Sequence, residues 1–274
     1  MSGDRRLVAL AIGLALAGPI PLAGQEDFRA ADADRPILVE DAIPLKLREW
    51  ELEVGSRGIL GEGERGLLAI IELKAGLFRN GQVGIEAEAG LEHPGEGGPS
   101  RGGLETLGAH LFYHLRRETG GLPALAVRAD VGTPGVGALG REDWGARVKT
   151  IATRSFDRLR LHGNAGYGVA SDGDGGDFWL AGLAFDYPIG LFSRAILGDV
   201  YVEIPADEGR TRVWAELGTR MQVGNWSVLD LGLATRLDRW EAGEANVELV
   251  IGLSRVFGIP ALVEVPRYPN PAIR

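Results

Sequence analysis

Three histidines, His110, His114 and His162, carry the most versatile side-chain chemistry in this sequence. His110 and His114 are four residues apart, a spacing that would suit a metal ion if both lay on a helix. On a strand the same spacing leaves them on one face about 13 Å apart, too far to chelate one ion. We therefore expect solvated side chains and no metal site, and the sequence leaves open whether His162 meets either of the other two.

Other reactive groups are equally isolated. Asp172, Asp174 and Asp177 resemble part of a calcium loop, but the distal Glu is absent, which favours an acidic turn. The chain has no Cys, which excludes a disulfide, a thiolate metal site, a Cys nucleophile and a lipoprotein anchor. Ser254 has the same predicted facing as the histidines, and no set of nucleophile, base and orienting group can be assembled. We expect no enzyme activity and no cofactor.

The elements that must position these residues are long alternating segments. From Val213 to Val223 the odd positions are apolar or Thr, and the even positions include Glu216 and Arg220. The same two-residue period recurs after Trp226 and again after Ala245. Side chains of a strand alternate between two faces, and ten or more residues are enough to cross a bilayer at a tilt. The pattern predicts an all-β fold, a single antiparallel transmembrane up-and-down β-barrel of the Gram-negative outer-membrane type.

We predict about twelve strands. The first starts at Glu49 and ends before the gap Gly58–Arg65, and the others lie at roughly 66–78, 82–92, 104–117, 122–133, 143–155, 158–170, 177–187, 193–204, 211–223, 226–238 and 244–257. The connections alternate between long, Gly-rich acidic loops and short turns such as Asn80-Gly81, a strong hairpin signal. In such barrels the short turns face the periplasm and the long loops face outward. A net charge of −9 argues against nucleic acid as a partner.

The ends of the chain differ from the barrel. Residues 1–24 resemble a signal peptide, with Arg5 and Arg6 ahead of a short apolar run. Residues 25–47 lack a steady period and are predicted to form a periplasmic arm, residues 48–257 the transmembrane barrel, and residues 258–274 a Pro-rich tail. We expect secretion to the periplasm and insertion into the cell outer membrane. The expected partners are the barrel-assembly machinery, outer-membrane lipid, lipopolysaccharide and a small-molecule solute.

Aromatic residues cluster near the predicted strand ends and suggest two interfacial girdles. The girdle at the short turns would contain Trp50, Phe78, Phe156, Tyr187, Phe192, Trp226 and Phe257. The girdle at the long loops would contain Trp144, Phe178, Trp179, Trp214 and Trp240.

The predicted inward face is strongly charged, with acidic residues in the early and late strands and basic residues in the middle. Opposed walls of this kind would sort solutes in an open pore. The same charges could instead pair and plug a narrow lumen, and the sequence does not decide between the two. The candidate lumen-lining residues, of pore or plug, are Glu86, Glu88, His110, His114, Arg128, Asp130, Arg147, Lys149, Arg160, His162, Glu216, Arg220, Asp230, Arg236 and Glu248.

Two short stretches carry a family resemblance. Asp34-Arg35-Pro36 followed by Glu51-Leu52-Glu53 resembles the opening of an outer-membrane transporter family associated with phenol and aromatic degradation pathways (MetA-pathway type). The final strand, Gly252 to Phe257, is similar as well. The resemblance implies a barrel that passes small organic molecules.

These observations predict a passive, porin-like channel for small organic or ionic solutes, with selectivity set by lumen charges and acidic outer loops. The alternative is a closed structural or binding barrel without transport activity. A secreted soluble β-protein is disfavoured by the long two-faced strands and the aromatic strand ends.

Overall fold

The computed structural model describes residues 29–32, 35–60, 64–94, 99–140, 142–170, 176–190, 193–238 and 247–258. The predicted signal peptide, the Pro-rich tail after residue 258, and the predicted girdle residues Phe192 and Trp240 lie outside these ranges. No helix among the described residues is long and apolar enough to cross a membrane.

Twelve long strands and one short strand form a single antiparallel sheet. They are β1 (Glu49–Leu60), β2 (Glu64–Phe78), β3 (Gly81–Pro94), β4 (Arg101–Arg116), β5 (Ala124–Gly132), β6 (Val136–Gly137), β7 (Gly145–Phe156), β8 (Leu159–Ala170), β9 (Phe178–Ile189), β10 (Arg194–Pro205), β11 (Arg212–Gln222), β12 (Ser227–Arg236) and β13 (Val247–Gly258). The two-residue β6 pairs with the start of β4, beyond the point where β5 ends.

The sheet closes because the first strand pairs with the last. Glu49 to Leu60 on β1 run antiparallel to Gly258 to Val247 on β13, twelve residue pairs in unbroken register. Each long strand also pairs with its neighbours along the chain, and β5 pairs directly with β7. The prediction of a closed barrel of about twelve strands is confirmed, and the strand ends lie within a few residues of those expected.

Alternation in the sequence becomes alternation across the wall. On β9, Trp179, Leu183 and Phe185 are exposed and face outward, whereas Leu180 and Asp186 are buried and face inward. Leu183 keeps 75% of its surface exposed, which suits a side chain that faces lipid. The outward face is therefore apolar, and the inward face holds most of the charge.

One end of the barrel carries short turns, such as the one at Arg79 and Asn80, and is called the short-turn end below. The opposite end is called the long-loop end. Asn80 and Asp157 adopt positive φ in two of the short turns, a conformation that Asn and Asp tolerate better than most residues.

Two residues of the predicted outer girdle face the lumen. Phe178 and Trp214 pack beside Leu38 at the inner face of β9 and β11. Trp179 is exposed on the outward face, as predicted. The girdle prediction was wrong for Phe178 and Trp214 because position along a strand was considered without the facing of each side chain.

Candidate functional site

Residues 29–32 and 35–47, called the arm below, lie inside the barrel. The sequence predicted a periplasmic arm, but the chain enters the lumen at the short-turn end, where Arg29 donates to the carbonyl of Arg158. It then reverses and returns to the same end, with the amide of Asp41 donating to the carbonyl of Ala31 at 2.9 Å. The charged wall provides more partners for this polar segment than the predicted position outside the barrel, which accounts for the difference.

Ion pairs hold the first half of the arm against β1, β2, β11 and β12. Asp32 lies 2.8 Å from Lys74 Nζ and 2.9 Å from Arg220 Nη1. Arg35 pairs with Glu53, and its Nη1 is 3.8 Å from Asp230. Every wall residue of this group is buried, so the arm takes part in neutralising charges that would otherwise need water.

The second half of the arm pairs with the opposite wall. Glu40 lies 2.9 Å from Arg128 and 2.8 Å from Lys149, on the adjacent strands β5 and β7. Burial raises the pKa of Glu40, but the two cations outweigh burial and hold the pKa below its usual value. The arm therefore bridges two sides of the barrel through oppositely charged groups.

Backbone groups of the arm are also bound by the wall. Asp199 accepts hydrogen bonds from the amides of Leu38 and Val39, both at 2.9 Å. Asn164 accepts from the amide of Glu40 and donates to its carbonyl. An irregular segment can stay inside a barrel only if its backbone groups find such partners, and these side chains supply them.

An apolar patch on β9 and β10 covers the turn of the arm. Ile37 and Val39 are fully buried against Leu180 and Leu197. These two leucines face inward, where a water-filled lumen would favour polar residues. Their position is explained by the arm, which shields them from water.

Glycines make room for the arm at its closest approaches to the wall. A Cβ on Gly232 would lie 2.9 Å from the carbonyl oxygen of Pro36 and 3.0 Å from its Cβ. A Cβ on Gly182 would lie 2.4 Å from Cγ2 of Val39. Both glycines face inward, so their lack of a side chain lets the arm contact the backbone of the wall.

The arm divides the lumen into two vestibules that share no lining residue. The outer vestibule, at the long-loop end, has a volume of about 560 Å³, and Leu38 of the arm belongs to its lining. The inner vestibule, at the short-turn end, has a volume of about 790 Å³ and is lined by Ile43 to Leu47 of the arm.

The two vestibules carry opposite charge. Seven carboxylates and four arginines line the outer one, whereas four Lys or Arg and one carboxylate line the inner one. Within the outer vestibule, Glu86 and Glu88 lie on β3, and Tyr201 lies on β10, six strands away around the ring. A solute in this space would meet an acidic wall on one side and an aromatic wall on the other.

The structure distributes the predicted lumen residues among three environments. Glu86, Glu88, Asp130, Arg147 and Glu248 line the outer vestibule, and His114 and Arg160 line the inner one. Arg128, Lys149, Arg220 and Asp230 contact the arm. His110, His162, Glu216 and Arg236 pair within the wall, with Glu72, Asp186, Arg57 and Asp238 respectively.

Three side chains form an arrangement that the sequence analysis did not predict. Thr153 Oγ1 lies 3.0 Å from His162 Nδ1, and His162 Nε2 lies 3.0 Å from Asp186, so a hydroxyl, an imidazole and a carboxylate do meet. Thr153 is 2% exposed, and its hydroxyl accepts a hydrogen bond from the backbone amide of Ala42 in the arm. Arg160 also holds Asp186, at 2.6 Å. In this arrangement the three residues anchor the arm.

A group of three carboxylates could hold a metal ion by geometry. Oxygen atoms of Asp32, Glu51 and Glu53 lie within 4.8 Å of one another. The ammonium of Lys74 is 2.6 to 2.9 Å from all three residues and is itself buried. The charge requirement of the cluster is met by this lysine and by the nearby arginines.

Sequence reasoning missed the charges of the arm and some of their partners. The sequence prediction puts Asp32, Arg35, Glu40 and Asp41 outside the barrel and does not include Asp186 among the lumen residues. The available signal was the conflict on β9 and β10, where inward positions hold both apolar and acidic residues. Such a mixed surface fits a peptide better than it fits bulk water.

No protein-family model matches the chain, and no curated protein matches it in sequence. Among solved structures, the chain is similar to the COG4313 outer membrane channel from Pseudomonas putida F1, with a TM-score of 0.60 and 12% identity over 79% of this chain and 98% of that one. It is also similar to the KdgM porin in complex with disordered oligogalacturonate, with a TM-score of 0.50 and 9% identity over 75% of this chain and 99% of that one. The chain is an outer-membrane β-barrel by fold, and the resemblance to the phenol-degradation transporter family stays a prediction.

Proposed function

We propose that this protein is a passive outer-membrane channel for small organic or ionic solutes, closed by the arm and opened when the arm withdraws. The observation that carries the proposal is the arm itself, which separates two vestibules at opposite ends of one lumen. Withdrawal through the short-turn end, where both ends of the arm lie, would join the two vestibules into one passage.

The attachment of the arm suits a gate better than a permanent filling. Most contacts are ion pairs and hydrogen bonds, such as those of Arg35, Glu40 and Asp199. Buried ion pairs contribute little net stability relative to the same groups in water, because desolvation offsets attraction. The seated and withdrawn states can therefore differ by only a few kcal/mol, the range in which ligands or conditions shift populations.

The outer vestibule would select the solute. Its volume of about 560 Å³ lies within the usual range for small-molecule sites. Its excess of carboxylates, together with exposed loop acids such as Glu142 and Asp207, favours cationic or neutral molecules at the entrance. The side chain of Arg147 is 30% exposed and pairs with Asp130 at 3.4 Å, which places one cation among these acids.

A reversible lock tests the gate. An added Cβ at Gly182 would lie 2.4 Å from Cγ2 of Val39, so the two Cβ atoms would be at most about 3.9 Å apart, a separation that a disulfide accepts. Because the native chain has no Cys, Val39→Cys with Gly182→Cys introduces one defined pair. We expect the oxidised variant to be silent in planar bilayers and the reduced variant to show discrete openings.

Val39→Cys alone is the matched control and should open regardless of oxidation. Equal conductance of the oxidised and the reduced double-cysteine variant would contradict gating by the arm. Silence of the wild type, the control and the reduced variant, with folding established by the heat-dependent gel shift, would favour the closed structural barrel.

A further inference from the structure

The outward face near the short-turn end carries arginines at the level where lipid headgroups lie. Arg154, Arg194 and Arg255 all point outward, within three residues of the ends of β7, β10 and β13 at that end of the barrel. Among the described strands, no Asp or Glu points outward in this half of the wall. Outward-facing charges are costly against lipid tails, so three arginines at this level call for a partner there.

The short turns extend this set into a basic rim. Arg79, Arg117 and Arg158 are exposed in three different turns, and Arg158 donates to the carbonyl of Pro188 at 2.7 Å. The acids of these described turns are Glu118, which pairs with Arg154 at 3.3 Å, and Asp157. The rim is therefore cationic in a chain whose net charge is −9.

Two of these arginines lie over aromatic rings of the outer surface. The guanidinium of Arg154 is 5.8 Å from the ring centre of Phe156, and that of Arg158 is 5.2 Å from the ring centre of Tyr187. Both rings are exposed and outward, at the position of an interfacial girdle. Stacking on a ring keeps a guanidinium at the headgroup level. Arg154 also donates to the carbonyls of Gly120 and Leu122, which fixes it to the neighbouring turn, whereas Arg158 uses only one of its nitrogens, on Pro188.

The surface next to this rim is apolar over the length of an acyl chain. Leu161, Leu183, Phe185 and Val200 are exposed on β8, β9 and β10, between the level of Arg158 and Arg194 and the middle of the wall. Arg158 and Arg194 lie on either side of β9, next to its end at the short turns. At the usual spacing between strands their Cα atoms are about 10 Å apart. A phosphate between them with its chains along β9 would satisfy both surfaces.

We infer that the short-turn rim binds anionic phospholipids, with Arg158 and Arg194 contacting the lipid phosphate. Guanidinium groups match phosphate oxygens in geometry and charge. Phospholipid is preferred over the phosphates of lipopolysaccharide because the opposite end of the barrel exposes acids, among them Glu142, Asp207 and Glu208, which would repel that lipid. This inference does not depend on the proposed channel function.

The test uses the folded full-length barrel, extracted from mixed vesicles of phosphatidylglycerol and phosphatidylcholine, with the retained lipids measured by native mass spectrometry. We expect phosphatidylglycerol to be enriched over phosphatidylcholine. Substituting Arg158 and Arg194 together by Gln should lower the enrichment by about fivefold per arginine, since each basic residue near a lipid surface contributes about 1 kcal/mol. Arg194→Gln alone, at an exposed strand end, tests the inference in a variant that keeps every turn contact.

Arg65→Gln is the matched control, because Arg65 is an exposed, outward arginine on β2 at the long-loop end. An equal loss of enrichment in this control would overturn the inference, because the effect would then follow net charge. Equal retention of both lipids by the wild type would overturn it as well. If purified lipid A displaces phosphatidylglycerol from the wild type and Arg194→Gln weakens that displacement, the rim recognises lipopolysaccharide and the assignment to phospholipid is overturned.

Discussion

Gly232→Ala should unseat the arm while leaving the wall intact. The added Cβ would lie 2.9 Å from the carbonyl oxygen of Pro36 and 3.0 Å from its Cβ, closer than such atoms normally approach. Its nearest contact with the wall, the carbonyl oxygen of Leu217 at 3.6 Å, is ordinary. Overpacking of this kind costs about 1–3 kcal/mol, which corresponds to a rise of about five- to 150-fold in the ratio of withdrawn to seated arm.

Cleavage after Glu40 by a Glu-specific protease would measure that ratio. Glu40 is 4% exposed with the arm seated, so the enzyme reaches it only after withdrawal. When opening and closing are fast relative to cleavage, the rate follows the population of the open form. Cleavage of the folded variant should therefore be faster than that of the wild type by the same factor, and openings in planar bilayers should become more frequent.

Gly163→Ala serves as the control, because Gly163 faces outward on β8 and a Cβ there would meet Leu183 at an ordinary 3.6 Å. Cleavage and opening should match the wild type in this variant. If Gly232→Ala raised neither rate, or if Gly163→Ala raised both equally, the arm would not be held by the fit that the structure describes.

Three further predictions follow from the charges of the lumen. Glu40→Gln should make openings in planar bilayers more frequent, because Arg128 and Lys149 lose their arm partner and breaking a buried ion pair costs about 3–5 kcal/mol. Burial raises the pKa of Asp41 to about 6, with Arg160 and His162 partly offsetting it. The seated arm thus takes up a proton that the withdrawn arm, with its ordinary pKa, does not, and seating is favoured below pH 6 and loses this advantage as the pH rises through 6. Channel openings should become less frequent from pH 7 to pH 5, and Asp41→Asn should remove this part of the pH dependence. Arg147→Glu should make open channels more selective for cations, which a shift in their reversal potential would show, without loss of folded protein.

Arg160 illustrates how far the lumen could be predicted from the sequence. Two-residue alternation is enough to place Arg160 inward on β8, and the structure agrees. Alternation gives no information about what fills the lumen, so the contact of Arg160 with Asp41 of the arm at 4.0 Å could not be foreseen. The barrel was predictable because strand facing is a local property of the chain, whereas the pairs that fill the lumen depend on strands and an arm that are distant in sequence.

The arm was misplaced for a related reason. Residues 29–47 show no period, and a segment without a period gives no indication of whether it lies in water or inside a barrel. Its residues Asp32, Arg35 and Glu40 look like those of a solvated linker. They carry instead the charges that complement Lys74, Glu53 and Arg128 on the wall.

This complementarity bears on how a closed lumen can also be a passage. A lumen filled by wall side chains alone would open only if many separate pairs on different strands rearranged, because no single segment carries one member of each pair. Here several of the central pairs have one member on the arm, as with Glu40 and Arg128. Moving a single segment breaks them together and leaves all twelve strands hydrogen-bonded to their neighbours. The wall charges that the arm releases would then face water and a passing solute, so the residues that hold the gate closed would also line the open channel.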